Sequence, residues 1–439
     1  TWWSNLFEND ARLDNLQLST LLAIEAQRRA ATERAERALR EALVILPGTD
    51  KEVVIETGEE PESLDFNSDG RLIAAGGGVG GTLVWDLDAN AIVARIPHGG
   101  TGGGADWQDK RGKSHGRNSR QIVDMSPSGD AVATAGPDTT ARVWEARTGK
   151  EVLRLSLTEL ATAVAFDDQG KRIATSDESG AVCLWNAKSG QQLQCMSHGL
   201  PVYWLGFSPS SALLASIGLD GSVAVWDTVN GQSRWRFQHD KHVRAARFDA
   251  TGRMLASFGS DTETIVWNLE TGEAWRMGDD NMTYAGVVFD AATDTMVVPG
   301  DEGVITWWDL RTRRPRFSMS ADSIILGAAA SPERRHLVTI DGYRETRAWS
   351  LDDGRLLKRL PYYQLYALAI SPDGESLAVA GFDGERDVID VTRIAPKDLV
   401  AAACERLSRN LTREEWQRYR GDRPYQRTCP NLEDGQEPE

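Results

Sequence analysis

Along most of the chain, apolar residues come in short runs that alternate with polar ones and are broken by clusters of Ser, Pro, Asp and Gly. The segments FNSDGRLIAAG, MSPSGDAVATAG, FDDQGKRIATS, FSPSSALLASIG, FDATGRMLASFG, FDAATDTMVVPG, ASPERRHLVTI and ISPDGESLAVAG share one plan. Each is a strand end, a turn whose Pro, Asp and Gly supply the required torsions, and a strand of small and apolar residues. The pattern predicts a β-hairpin in each case. Downstream of each hairpin runs a third strand ending in Trp and a polar residue: TLVWDL, ARVWEA, VCLWNA, VAVWDT, TIVWNL, ITWWDL and TRAWSL. A further turn and strand follow, as in TGKEVLRLSL and NGQSRWRFQH.

The tryptophans are Trp85, Trp144, Trp185, Trp226, Trp267, Trp308 and Trp349, and from Trp144 onward each lies 41 residues after the last. The first interval is 59 residues. An eighth, decayed copy is DVIDVT, with Ile389 in the Trp place. Four strands in such a unit match one blade of a β-propeller, and a large aromatic in each unit fills the gap between stacked blades. Asp138, Asp220 and Asp261 sit six residues before their Trp, where a side-chain acceptor holds the turn into the third strand.

With these repeats in view, residues 51–393 resemble the WD-repeat family. The resemblance implies an all-β WD40 β-propeller. Its Gly-His pair is mostly missing here and survives only near His198 and His239 or His242. Several blades are therefore expected to lack the full internal hydrogen-bond network, with some local softness. Eight blades follow if every unit forms one, and seven if the degraded eighth does not. The segment KEVVIETG offers a strand with Val53, Val54 and Ile55 that can complete the last blade and remove a free sheet edge.

Helical extensions flank the ring. In residues 10–46, Leu13, Leu16, Leu21, Ile24, Leu39 and Leu43 recur at helical spacing, and Pro47-Gly48 ends the run. Residues 396–421 read as helix too, with Thr412 and Glu415 spaced as a capping box. The expected domains are 1–50 (helical, the end of an upstream region), 51–393 (propeller) and 394–439 (helical, then a disordered acidic tail). Both flanks, LLAIEAQRRAATERAERALREAL and NLTREEWQRYRGDRPYQRTCP, resemble segments that bracket propellers in large bacterial signalling proteins. That resemblance implies an upstream effector: a STAND or NACHT ATPase, a caspase-like peptidase or a kinase. The chain has no initiator Met and reads as a piece of something longer.

Composition narrows the partners. The net charge of −16 repels nucleic acid and anionic membranes, and no apolar run long enough to cross a bilayer is present. Four cysteines favour a reducing, cytoplasmic setting and free thiols. Even so, Cys183 and Cys195 flank one hairpin and Cys404 and Cys429 bracket the C-terminal helices, so bridges stay open.

The extra residues of the first interval form HGGTGGGADWQDKRGKSHGRNSRQ, from His98 to Gln121. Lys110, Arg111, Lys113, Arg117 and Arg120 make it basic beside Trp107. It is read either as a contact for an acidic peptide, phosphate or nucleic acid, or as a flexible Gly-rich insertion. Its RGKS string is not a phosphate loop, because Trp107 stands where the first Gly is required. His239 and His242 have no Cys or carboxylate set to complete a metal site, and no nucleophile–His–acid set can be assigned. No cofactor, metal or catalytic residue is expected. By the family pattern Glu62, Gln121, Thr162, Tyr203, Arg244 and Tyr366, with Trp204 beside them, face the mouth of the ring, where aromatics and Arg make good anchors. Ordinary packing near the channel is the other reading of these residues. The expected function is a protein- or peptide-recognising sensor propeller that regulates an effector. The alternatives are a purely structural scaffold, or an enzyme or metal-binding propeller.

Overall fold

In a computed structural model the repeat becomes eight four-stranded antiparallel sheets. The residues described are 17–29, 39, 53–56, 63–76, 81–97, 107–108, 114–115, 123–136, 138–240, 242–259, 264–277, 286–290, 293–300, 303–321, 323–331, 336–342, 345–360, 364–371, 376–382, 387–393, 400, 403–404, 407–420 and 423–433. The first strands of the sheets are Ser63–Phe66 (blade 1), Val123–Met125 (2), Ala161–Phe166 (3), Val202–Phe207 (4), Val243–Phe248 (5), Val288–Asp290 (6), Ile325–Ser331 (7) and Gln364–Ile370 (8). First strands touch in succession from blade 7 through blades 8 and 1 to blade 5, and buried side chains join blade 5 to blade 6 and blade 6 to blade 7, so the sheets close into a ring with the first strands innermost. The eighth unit does form a blade. Its outermost strand is Val53–Glu56, paired antiparallel with Asp387–Arg393 in the register Val53↔Val391, Val54↔Asp390, Ile55↔Ile389. The segment just before blade 1 thus closes the ring, as KEVVIETG predicts, and blade 8 keeps no unpaired third strand.

Each repeat tryptophan packs against the preceding blade. Trp226, for example, joins Ala163, Ala165 and Leu184 of blade 3, and Trp267 joins Ala215 and Val225 of blade 4. Five of the indoles also hold a second bond. Their N–H donates to a hydroxyl ten residues earlier on the adjacent strand: Trp144 to Thr134 (2.8 Å), Trp185 to Thr175 (2.8 Å), Trp226 to Ser216 (2.7 Å), Trp267 to Ser257 (2.7 Å) and Trp349 to Thr339 (2.7 Å). Blades 1 and 6 have Ala75 and Val298 at that position, and there Trp85 and Trp308 are only half-buried and their N–H groups have no partner. In blade 6 the neighbouring Trp307 takes up the work. It is buried, stacks on Phe317 at 4.6 Å and donates to Leu351 O of the next blade (3.0 Å).

The surviving histidines extend this bond into a chain. His198 Nδ1 lies 2.8 Å from Ser216 Oγ and its Nε2 lies 2.7 Å from Ser222 Oγ, while Ser222 donates to Asp220 (2.5 Å). His239 also reaches the indole-bound serine of its blade, but through Nε2, to Ser257 Oγ (2.7 Å), whereas His242 is exposed. Asp138 accepts from the backbone and hydroxyl of Thr140 in the turn, as expected; Asp261 lies outside the described residues. Blade 7 has Ala321 at the histidine position. The buried guanidinium of Arg347 replaces the ring, donating to Ala321 O and pairing with Asp341 (3.3 Å) and Glu345 (2.6 Å). A missing histidine therefore does not mean a missing network.

A second inter-blade contact lies where the third strand turns into the fourth. Gly272 adopts φ +75°, and a Cβ there would meet the Trp235 ring at 2.5 Å. Trp235, on blade 4, donates to Leu269 O of blade 5 (3.1 Å). The equivalent position in blade 6 is Arg313, which holds φ 57° without being glycine. Its guanidinium lies 4.6 Å over Trp275 and bonds Glu273 (3.0 Å), contacts that offset the roughly 1 kcal/mol or more of a left-handed non-glycine residue.

The flanks form a separate compact unit, residues 1–51, 357–359 and 393–439. Helix is described at 17–29, at 39, at 400, at 403–404 and over Arg413–Arg420. Residues 407–412 are not helical, and they separate the two helical segments expected over 396–421. Leu21, Ile24 and Leu39 are fully buried with Leu407, Leu411 and Trp416; Leu13, Leu16 and Leu43 lie outside the described residues, as does the tail 434–439. The capping box forms: Glu415 N–H donates to Thr412 Oγ1 (3.0 Å) and Thr412 N–H to Glu415 Oε2 (2.8 Å). Asn410, fully buried, donates to Cys429 O, Leu432 O and Glu433 O.

Free thiols were the expectation from composition, and the structure corrects it. Cys183 and Cys195 are direct partners on adjacent strands of blade 3, 4.0 Å apart at Cα, and form a disulfide. Cys404 and Cys429 form another within the helical unit, at 5.4 Å. Antiparallel pairing sets the first distance and packing of the helical segments sets the second, neither of which spacing alone can fix.

Two outcomes follow. Thiol titration of the unfolded, unreduced protein is expected to find no free thiol, and two or four per chain would mean open pairs. Burial, helped by the charge of Arg236, pushes the His198 imidazole down to about 4. The unfolded chain then takes up a proton below about 6.5 that the folded chain refuses until about 4, so this stabilisation is complete above 6.5 and is lost as pH falls toward 4. Urea titrations of wild type and His198→Gln should therefore differ less at pH 4.5 than at pH 7, by on the order of 2 kcal/mol. A constant difference across that range would contradict the neutral, buried ring.

Candidate functional site

The innermost strands position the candidate residues. Five of them carry a β-bulge near their start, where the pairing skips one residue. The skipped residues are Thr162, Tyr203, Arg244, Leu326 and Tyr366. A bulge leaves its extra residue unpaired and re-aims the side chain. These residues occupy one register position around the ring and so mark one end of it. Four of the five were singled out by sequence; Leu326, 40% exposed, was missed. Its spacing from Thr162, Tyr203 and Arg244 in multiples of 41 residues was the available signal, and an apolar residue in an apolar strand hid it.

Their side chains do different things. Thr162 and Tyr203 are buried, and their hydroxyls donate to Val202 O and Val243 O of the following blade. They pin blade to blade, in line with packing near the channel, the other reading of these residues. Trp204 is half-buried, and its indole lies over Gly206, where a Cβ would meet the ring at 2.3 Å. The glycine is what lets the indole lie against the wall. Arg244 and Tyr366 are placed by their strands, while their side chains, like all of Glu62 and Gln121, lie outside the described residues. In the 98–121 insertion, Trp107–Gln108 pairs with Ser114–His115 as a two-stranded ladder. Lys110, Arg111, Lys113, Arg117 and Arg120 lie outside the described residues.

Deeper in the ring, one residue precedes the Phe-like position of each inner strand. It is small or aliphatic in five blades (Ala165, Gly206, Val288, Ala329, Ala369) and charged in three: Asp65, Asp124 and Arg247. The inner edge of an innermost strand has N–H groups with no neighbouring strand. Asp65 accepts one, from Met125 (2.7 Å), and Asp124 accepts another, from Phe166 (2.6 Å). Burial pushes the Asp65 carboxyl up to about 6, against the pull of the Met125 and Phe66 N–H groups and of Arg247. Partial loss of bulk water inside the enclosed ring likewise lowers the Arg247 guanidinium from its ordinary value, although its side chain is open to the channel. Sequence reasoning passed over all three, although they stand out at their repeat position once the units are aligned.

Among the described residues no group of three or more His, Cys, Asp and Glu is placed to hold a metal, and no helix is long and apolar enough to cross a membrane.

Comparison with known proteins agrees with this geometry. The family model "WD domain, G-beta repeat" matches residues 156–186 and 190–227, which cover most of blades 3 and 4, both of which hold the Trp–hydroxyl bond. No curated protein matches the chain. Among solved structures, a computationally designed protein, Ika8, is similar at TM-score 0.59 and 20% identity, over 77% of this chain and 98% of that one. A chain of a mitotic checkpoint complex is similar at TM-score 0.52 and 20% identity, over 63% of this chain and 90% of that one. At such identity these likenesses speak for the fold alone. With its eight ring-closed sheets, its recurring indole pins and the matched repeats, this chain is a WD-repeat β-propeller.

Proposed function

We propose that the ring is a recognition module for a protein or peptide, and that it senses this partner on behalf of an effector in a bacterial signalling or defence protein. The single observation that carries the reading is the alignment of five inner-strand bulges at one end of the ring. Bulges are found where a strand must redirect a side chain, often beside functional sites. Two of the five serve packing, which leaves Arg244, Leu326 and Tyr366, with Trp204 next to them, as the residues offered to a partner. An Arg, two aromatics and an exposed aliphatic on a rigid scaffold suit a peptide contact. The basic insertion, through Trp107, Lys110, Arg111, Lys113 and Arg117, would add contacts to an acidic segment of that partner, as would Glu62 and Gln121 to its polar groups. Nucleic acid is a poor fit to the net charge outside that insertion.

The helical flanks support an effector joined to this unit, of the ATPase, caspase-like or kinase class. Sparse cysteines favoured a cytoplasmic location. Two bridged pairs favour an oxidising one, where such bonds persist. Catalysis is assigned to the effector, and the ring is read as non-enzymatic.

Affinity capture from extracts of the source cells tests the face. The native chain should retain a partner that Trp204→Ala/Leu326→Ser and Arg244→Ala/Tyr366→Ala lose. Val229→Ser, which changes a side chain 85% exposed on the third-to-fourth-strand turn of blade 4, should retain it. Equal recovery by all folded variants would reject this face and favour a purely structural scaffold.

A further inference from the structure

Arg247 is the one cation at its level of the inner wall. Its strand lies between blades 4 and 6 and pairs on one side with Met254–Gly259, yet its side chain is exposed. That combination puts the guanidinium in the central channel. The charge of Arg247 is felt by Asp65, on blade 1, four blades away and so across an eight-membered ring. No hydrogen bond or ion pair to Arg247 is formed among the described residues, and the two channel carboxylates already give an oxygen each to a backbone N–H. Next along the wall, Gly206 presents no side chain of its own, only the indole of Trp204.

We propose that the central channel binds a single oxyanion group, carboxylate or phosphate, on the guanidinium of Arg247. A guanidinium carries five N–H donors in a planar fork that matches two oxygens of such a group, and an enclosed channel strengthens the charge-assisted bonds. The wall opposite sets the selectivity. Asp65 and Asp124 repel any anion that spans the channel, so a polyanion is excluded while one compact group held on the blade 5 side is accepted. The group can arrive as a free ion, or as the carboxylate end or side chain of a peptide entering the channel. This site is separate from the rim reading: it depends on Arg247 alone, and losing the rim contact would leave it intact.

Isothermal titration of the whole chain, at constant ionic strength in chloride, distinguishes the sources. The probes are inorganic phosphate, a short Gly/Ser peptide with a free C-terminal carboxylate, and the same peptide amidated. Saturable one-to-one binding is expected for phosphate, for the free-acid peptide, or for both, and not for the amidated peptide. Arg247→Gln should weaken it at least about tenfold, and Arg247→Lys should keep part of it as a point charge without the fork. Circular dichroism and the melting temperature of Arg247→Gln should match wild type, because the side chain is exposed and its removal breaks no contact among the described residues. Phosphate binding alone would identify a free ion, and peptide binding alone a peptide end. Failure of both probes to bind, equal binding by folded Arg247→Gln, or equal binding of the amidated peptide would overturn the proposal.

Discussion

The ring depends on one contact, an indole inserted between two sheets with its N–H tied to a hydroxyl on its own sheet. An indole between blades buries a large apolar surface, but its N–H is left without water. Giving that N–H an acceptor ten residues earlier removes the penalty of an unpaired buried donor, about 1–3 kcal/mol, and fixes the ring plane at the same time. Because the acceptor sits on the neighbouring strand, the bond also couples the third strand to the second. Where the hydroxyl is present the tryptophans of blades 2, 3, 4, 5 and 7 are buried. Where Ala75 or Val298 replaces it, Trp85 and Trp308 are less buried and their donors stay unpaired. Blade 8 has neither partner, with Ile389 in place of the indole, and is completed instead by the strand that precedes blade 1.

Much of this was legible in the sequence, because the period and the residue types each have a direct physical cause. The 41-residue recurrence gave the blades, the turn residues gave the hairpins, and KEVVIETG gave the closing strand. The hydroxyl partner could also have been read, as Thr or Ser ten residues before Trp. What was not legible was compensation. The absence of a histidine at Ala321 pointed to a weakened blade, yet Arg347, a residue of quite different shape, bonds the Ala321 carbonyl and Asp341 from another strand. Local deletions of a motif are visible in a sequence, but a replacement that arrives through tertiary contact is not.

The candidate site divides along the same line. Its positions were legible, since the bulge residues follow the repeat; Thr162, Tyr203, Arg244 and Tyr366 were all chosen on spacing. Their roles were not, because exposure depends on whether a carbonyl of the next blade is in reach. Thr162 and Tyr203 find one and turn inward. Arg247 was missed because a single Arg in a strand is unremarkable until the ring places it opposite Asp65. The cysteine pairs were undecided for a similar reason: strand register, which no spacing states, brings Cys183 opposite Cys195.

The central claim is that the indole–hydroxyl bond is an energetic unit of the blade and not an incidental contact. A double-mutant cycle on Trp185→Phe and Thr175→Val, followed by denaturant titration, tests it most directly, since blade 3 holds this pair without a histidine. The account predicts a coupling of about 1 kcal/mol between the two changes. Strictly additive effects would contradict it.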